Sequence, residues 1–170
     1  IGLVVGLENG QLVRSLCRNS DMRIIAVDDE VSRVKVVRES LSDLYGVRVS
    51  VHHVDNLEAL PFVGHFANLV TTERSLNDGL PTTFQKAVHL LRPDGGVAVF
   101  GAPSVDGATA LSVEKRTMLA DELHITTATK LPESVESTFV DDSEGVWITI
   151  RTNPWRGTGE WSHLYGSTDN

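Results

Sequence analysis

The chain predicts an α/β domain in three layers: a seven-stranded, mostly parallel sheet between two helical layers, ending in an antiparallel C-terminal hairpin. Two observations carry this. From Ile1 to Phe100, short β-branched runs alternate with amphipathic segments, the pattern of strands buried on both faces and helices that cover them. Beyond Ser112 the alternation stops, and two strand-like runs follow with only a polar loop between them, which suits an antiparallel pair. At 170 residues, 41% hydrophobic and 22% charged, the chain has enough apolar material for one core.

Taken in order, Ile1 to Val5 reads as a buried first strand. Gln11 to Arg18 is helical, with Leu12, Val13, Leu16 and Cys17 on one side. Arg23 to Val27 is the second strand. Val31, Val34, Val37, Leu41 and Leu44 then recur at helical spacing, and Gly46 ends that helix as a C-cap. Val47, Val49 and Val51 alternate with polar residues in a third strand that finishes near Val54. Phe66 to Thr71 is the fourth. Pro81 suits the first turn of the next helix, which carries Phe84, Val88 and Leu91 on one face. "RPDGG", from Arg92 to Gly96, turns the chain into a fifth strand, Val97 to Phe100. A helix from Ser112 to Leu123 leads to the strand-like "HITTATKL", an acidic loop from Pro132 to Gly145, and a last strand in "VWITIRTNP". The domain is therefore expected over 1–153, and 154–170 as an irregular tail or a linker to a further domain.

Charge narrows the partners. The formal net charge is -8, and the 15 Lys and Arg residues are scattered, so no basic face offers itself to nucleic acid or to anionic lipid. Cys17 is the single cysteine, which excludes a disulfide framework and a thiolate metal cluster. No apolar run reaches the length of a membrane span, and no signal peptide is visible, although the chain starts at Ile1 without a methionine. A cytoplasmic setting is the expectation.

In an open α/β sheet, ligands bind beyond the C-terminal ends of the strands, where the strand order reverses. The residues expected there are Gly6 to Gly10, Asp28, Asp55, Thr71 to Arg74 and Gly101. Glycines let a tight turn bring backbone N–H groups to a ligand. A carboxylate about 20 residues later can accept both hydroxyls of a ribose, and Asp28, directly after "IIAV", stands there. Asp55 is placed to read an adenine edge. Each aspartate alone is equally well explained as a helix cap.

Four segments together resemble a class I S-adenosylmethionine-dependent methyltransferase domain: "LVVGLENG", "IIAVDDE", "HHVDNLEALPF" and "AVHLLRPDGGVAVFG". The resemblance covers Ile1 to Asn153 and implies a Rossmann-like sheet whose last strand runs antiparallel between the two before it. It implies S-adenosylmethionine as cofactor, held by Gly6, Glu8, Gly10, Asp28, Asp55, Asn56 and Thr71. A nicotinamide site fits less well, because Gln11 occupies the third glycine position of that fingerprint.

The chain also departs from this family. Val4 stands where an acidic residue is usual, Glu8 replaces the middle glycine of the loop, and Asn68 replaces a common aspartate. The family's usual N-terminal helical lid is not in the sequence. Methyl transfer needs little beyond alignment of the acceptor, with a base only where the acceptor must lose a proton. Glu73 is the candidate for that base. "TTERSL" lacks the Asp/Asn-Pro-Pro-aromatic run of methylases that act on amino groups of nucleic acid and glutamine. His52 and His53 read as strand residues, and the other histidines show no metal-ligand spacing. The tail "GEWSHLYGSTDN" is similar to the entry into quinoprotein-like β-propeller domains, which implies a covalently linked neighbour. Two functions remain: methyl transfer to an unidentified acceptor, or a non-catalytic methyltransferase-like binding or scaffold module in a larger protein.

Overall fold

The computed structural model describes residues 1–76, 79–105, 108–109, 111–130 and 134–154. Its strands are β1 (Gly2–Val5), β2 (Ile24–Asp28), β3 (Val49–His53), β4 (Leu69–Thr71), β5 (Val97–Val105), β6 (Ala108–Thr109), β7 (Val135–Asp142) and β8 (Gly145–Thr152). Its helices are α1 (Gln11–Asn19), α2 (Val31–Ser40), α3 (Phe84–Leu90) and α4 (Val113–Lys130). The sheet runs β3-β2-β1-β4-β5-β8-β7, with the two-residue β6 paired to the end of β5. Neighbours from β3 to β5 are parallel, and β8 is antiparallel to both β5 and β7. The order reverses between β1 and β4, which opens a crevice at their C-terminal ends.

Strand alternation divides the core in two. Val4, Ala26, Val49 and Val51 point to one face and pack under Val13 and Cys17 of α1 and Val34 and Val37 of α2. Leu3, Val5, Val27, Val70, Ala98, Phe100, Ile148 and Ile150 point to the other, under Phe84, Ala87 and Val88 of α3 and Leu119 and Leu123 of α4. The two clusters make the three layers. Among the described residues, no helix is long and apolar enough to cross a membrane.

Three expectations are corrected. "HITTATKL" is the last part of α4 down to Lys130, and the partner of β8 is β7, within the stretch read as an acidic loop. β7 lies at the sheet edge, where half-buried Val135, Ser137 and Phe139 alternate with exposed Glu136, Thr138 and Val140 and two exposed aspartates end the strand, which hides the strand signal. The second helix stops at Ser40, with Leu41 as C-cap; the chain then makes short turns through Leu44 and a left-handed Gly46 before β3. The third helix begins at Phe84, not at Pro81, because the Thr83 hydroxyl caps it by accepting the Lys86 N–H. The tail from 155 onward lies outside the described residues.

Candidate functional site

β1 delivers the chain to a loop from Gly6 to Gly10, both with φ near +80°, a conformation that side chains with a Cβ rarely adopt. The loop turns directly into α1, so several N–H groups of its backbone converge toward the end of β4. Such a concave set of donors binds anions. Here the anion is Glu73. Its Oε2 accepts the N–H groups of Glu8 (3.0 Å) and Gly10 (2.9 Å), and its Oε1 accepts that of Leu12 (2.9 Å). The Glu73 N–H in turn donates to the Gly6 carbonyl at 3.1 Å, so the end of β4 is tied to the loop through backbone and side chain.

Asp28, the last residue of β2, is fully buried beneath the same loop. Its Oδ2 accepts the Leu7 N–H at 2.7 Å and its Oδ1 the Glu30 N–H at 2.8 Å. Arg74 reaches across from β4 and donates through Nε to Oδ2 (3.2 Å) and through Nη2 to Oδ1 (2.8 Å), a bidentate fork. Arg33 Nη1 approaches Oδ1 at 3.8 Å. Arg74 also pairs with Asp29. Burial raises the Asp29 carboxyl, but the Arg74 hydrogen bond and charge outweigh it and hold the group below its ordinary value. Burial likewise pulls Arg74 down, and its two aspartate partners more than reverse this. Thr72 Oγ1 accepts the Arg74 N–H at 3.0 Å, a local turn that aims the side chain at Asp28.

The other expected residues are placed as follows. Thr71 ends β4 between Val4 and Val99 and lines a cleft of about 300 Å³ with Glu8, Asn9, Gln11, Leu12, Thr72, Glu73, Val99, Gly101, Pro103 and Trp147. Gly6, Asp28 and Arg74 are not part of that lining; Arg74 packs against Gly6 and pairs with Asp28. Register puts His53 beside Asp28, so Asp55 and Asn56 stand two and three residues beyond the same sheet end; both are exposed. Asn56 Oδ1 accepts the Glu58 N–H at 2.8 Å and shapes the turn there. Val4 is fully buried under α1 and α2. Among the described residues, no group of three or more His, Cys, Asp and Glu side chains is placed to hold a metal. A groove of about 240 Å³ near Arg23, Val47 and Arg48 opens at the opposite end of the strands, away from the reversal point.

Sequence reasoning missed Arg74 as the dominant partner of Asp28. Its position four residues after Val70 gave the only signal: a long cation directly beyond a parallel strand that neighbours β1.

No family model and no curated protein sequence matches this chain. Solved structures do. A Methanococcus maripaludis protein assigned as an S-adenosyl-L-methionine-dependent methyltransferase superposes with a TM-score of 0.60 at 15% identity, over 92% of this chain and 80% of its own. A Klebsiella pneumoniae protein assigned as an O-methyltransferase gives 0.58 at 17% identity, over 90% and 72%. The 4+2 cyclase SpnF gives 0.61 at 14% identity, over 90% and 74%. The chain has the class I methyltransferase fold. SpnF shows that the fold is also found under a name other than methyltransferase, and function must be argued from the site.

The fold implies S-adenosylmethionine, and the crevice tests whether that cofactor fits. A ribose needs lone pairs on Asp28 and open space above Gly6. An ionised carboxylate offers about four acceptor positions, and Leu7, Glu30 and the two nitrogens of Arg74 take them. A Cβ built on Gly6 would meet Arg74 Cδ at 2.9 Å, so the Arg74 stem already fills the space. With Arg74 in this position the residues do not fit the cofactor.

Proposed function

We propose that this domain is a non-catalytic methyltransferase-like binding or scaffold module, part of a larger protein, whose cofactor crevice is held by its own side chains. Asp28 carries this reading: the one carboxylate positioned for a ribose has all its acceptor positions spent within the protein. Glu8 in place of a glycine and Val4 in the core agree with it. The resemblance of the tail to a β-propeller entry supports a linked neighbouring domain, and the net charge of -8 supports a partner other than nucleic acid or an anionic membrane.

A second reading is S-adenosylmethionine-dependent methyl transfer to an unidentified acceptor. The fold likeness and the cleft between Glu8, Glu73 and Trp147 favour it. In that reading Gly6, Glu8, Gly10, Asp28, Asp55, Asn56 and Thr71 would contact the cofactor. Titration of the wild-type protein with S-adenosylmethionine and S-adenosylhomocysteine by calorimetry separates the two. Absence of heat and of thermal stabilisation at millimolar ligand is the expected result. Micromolar binding to the wild type would overturn the non-catalytic reading, since a bound ligand at a hundredfold excess over Kd adds about 2.7 kcal/mol of stability.

A further inference from the structure

We propose that Glu73 and Arg74 are a built-in ligand of the crevice, filling the two subsites that a nucleoside-bearing molecule would otherwise take. This rests on the reading above and adds what holds the crevice shut and what reopens it. Glu73 supplies an anion to three converging N–H groups of the β1–α1 loop, at 2.9 to 3.0 Å. Arg74 supplies two donors from one planar group to the two oxygens of Asp28, the demand that two adjacent ribose hydroxyls would make on the same carboxylate. Its stem lies against Gly6, in the space that a glycine leaves for close backbone approach.

The two residues are adjacent in the chain and both are aimed. Thr72 Oγ1 fixes the Arg74 N–H, and the Gly6 carbonyl fixes the Glu73 N–H. A single strut between β4 and the loop would need one of these contacts. Occupation of both subsites by neighbouring residues is what a tethered ligand provides. It holds the loop N–H groups through Glu73, and any external molecule competes against a partner at high effective concentration. The apparent affinity of a nucleoside then falls by the fraction of time the pair is dislodged.

The test compares wild type, Arg74→Ser and Glu73→Gln/Arg74→Ser by calorimetric titration with S-adenosylhomocysteine, after circular dichroism and urea unfolding show a cooperative fold. Arg74→Ser is expected to bind at least tenfold more tightly than wild type, or than the detection limit if wild type shows none, and the double variant more tightly still. Adding Asp28→Asn to Arg74→Ser is expected to remove the gain. Folded variants that bind no better than wild type would overturn the proposal and leave the non-catalytic reading intact. Wild-type binding alone bears on that reading, because the proposal is judged by the ratio. If neither variant folds while wild type does, the proposal is also overturned, since the pair is then a structural strut and not a displaceable ligand.

Discussion

Glu73→Ala deletes the carboxylate that holds three loop N–H groups, and the cost follows from its surroundings. A hydrogen bond to a charged group is worth about 1.5–3 kcal/mol. The Glu8 N–H is exposed, and those of Gly10 and Leu12 are part-buried, so water recovers much of what each loses. A net loss of about 2–3 kcal/mol remains. For a chain of 170 residues that lowers Tm by roughly 4–12 °C, at about 2–4 °C per kcal/mol. Glu73→Gln keeps one acceptor oxygen but turns an amide NH2 toward the loop donors, so it should lose about half as much. Urea unfolding at 25 °C measures both, with an unchanged m-value expected because the folded core is untouched. A Glu73→Ala protein within about 0.5 kcal/mol of wild type would refute the account of the loop, because the three contacts would then hold nothing.

Three further outcomes are expected. Gly101→Ala should lower stability by about 1–3 kcal/mol, because a Cβ there collides with the Trp147 ring that lies on β5; unchanged Tm and unchanged tryptophan emission would contradict the packing. Asp29 is pushed up by burial but held lower on balance by Arg74, so its folded pKa lies below the unfolded value of about 3.9. Its contribution is full above that value and lost as pH falls through the folded pKa, so the Tm gap between wild type and Asp29→Asn should be flat from about pH 7 to 5 and close below about pH 4. A gap that is absent at pH 7, or that widens as pH falls, would count against the pairing. Burial pushes the Cys17 thiol up, so folded protein should react slowly with a disulfide reagent and completely in urea; fast labelling of the native state would contradict its place on the buried face of α1 against the sheet.

The sheet and its crevice were legible because their signals are local. Each parallel strand announces itself by a short apolar run, and Asp28 by its position directly after one. What closes the crevice was not legible. Arg74 lies 46 residues from Asp28, and the two meet only because β4 pairs with β1 on the side opposite β2. No local pattern encodes which cation a buried carboxylate will find. The C-terminal hairpin was recognised, but its first strand was placed too early, since β-branched "HITT" has strand propensity and the true edge strand carries Glu136, Asp141 and Asp142 among its apolar residues. Tertiary packing of α4 on the sheet overrode that propensity.

The seat of β8 has a consequence for how the protein is made. Of the described strands the last to emerge from the ribosome, Gly145–Thr152, fills an interior place between β5 and β7, and Ile148 and Ile150 on it are fully buried. Until it emerges, β5 presents an unpaired edge and Phe100 lacks the strand that seals it. The nascent domain must therefore wait, sticky and incomplete, for its final residues.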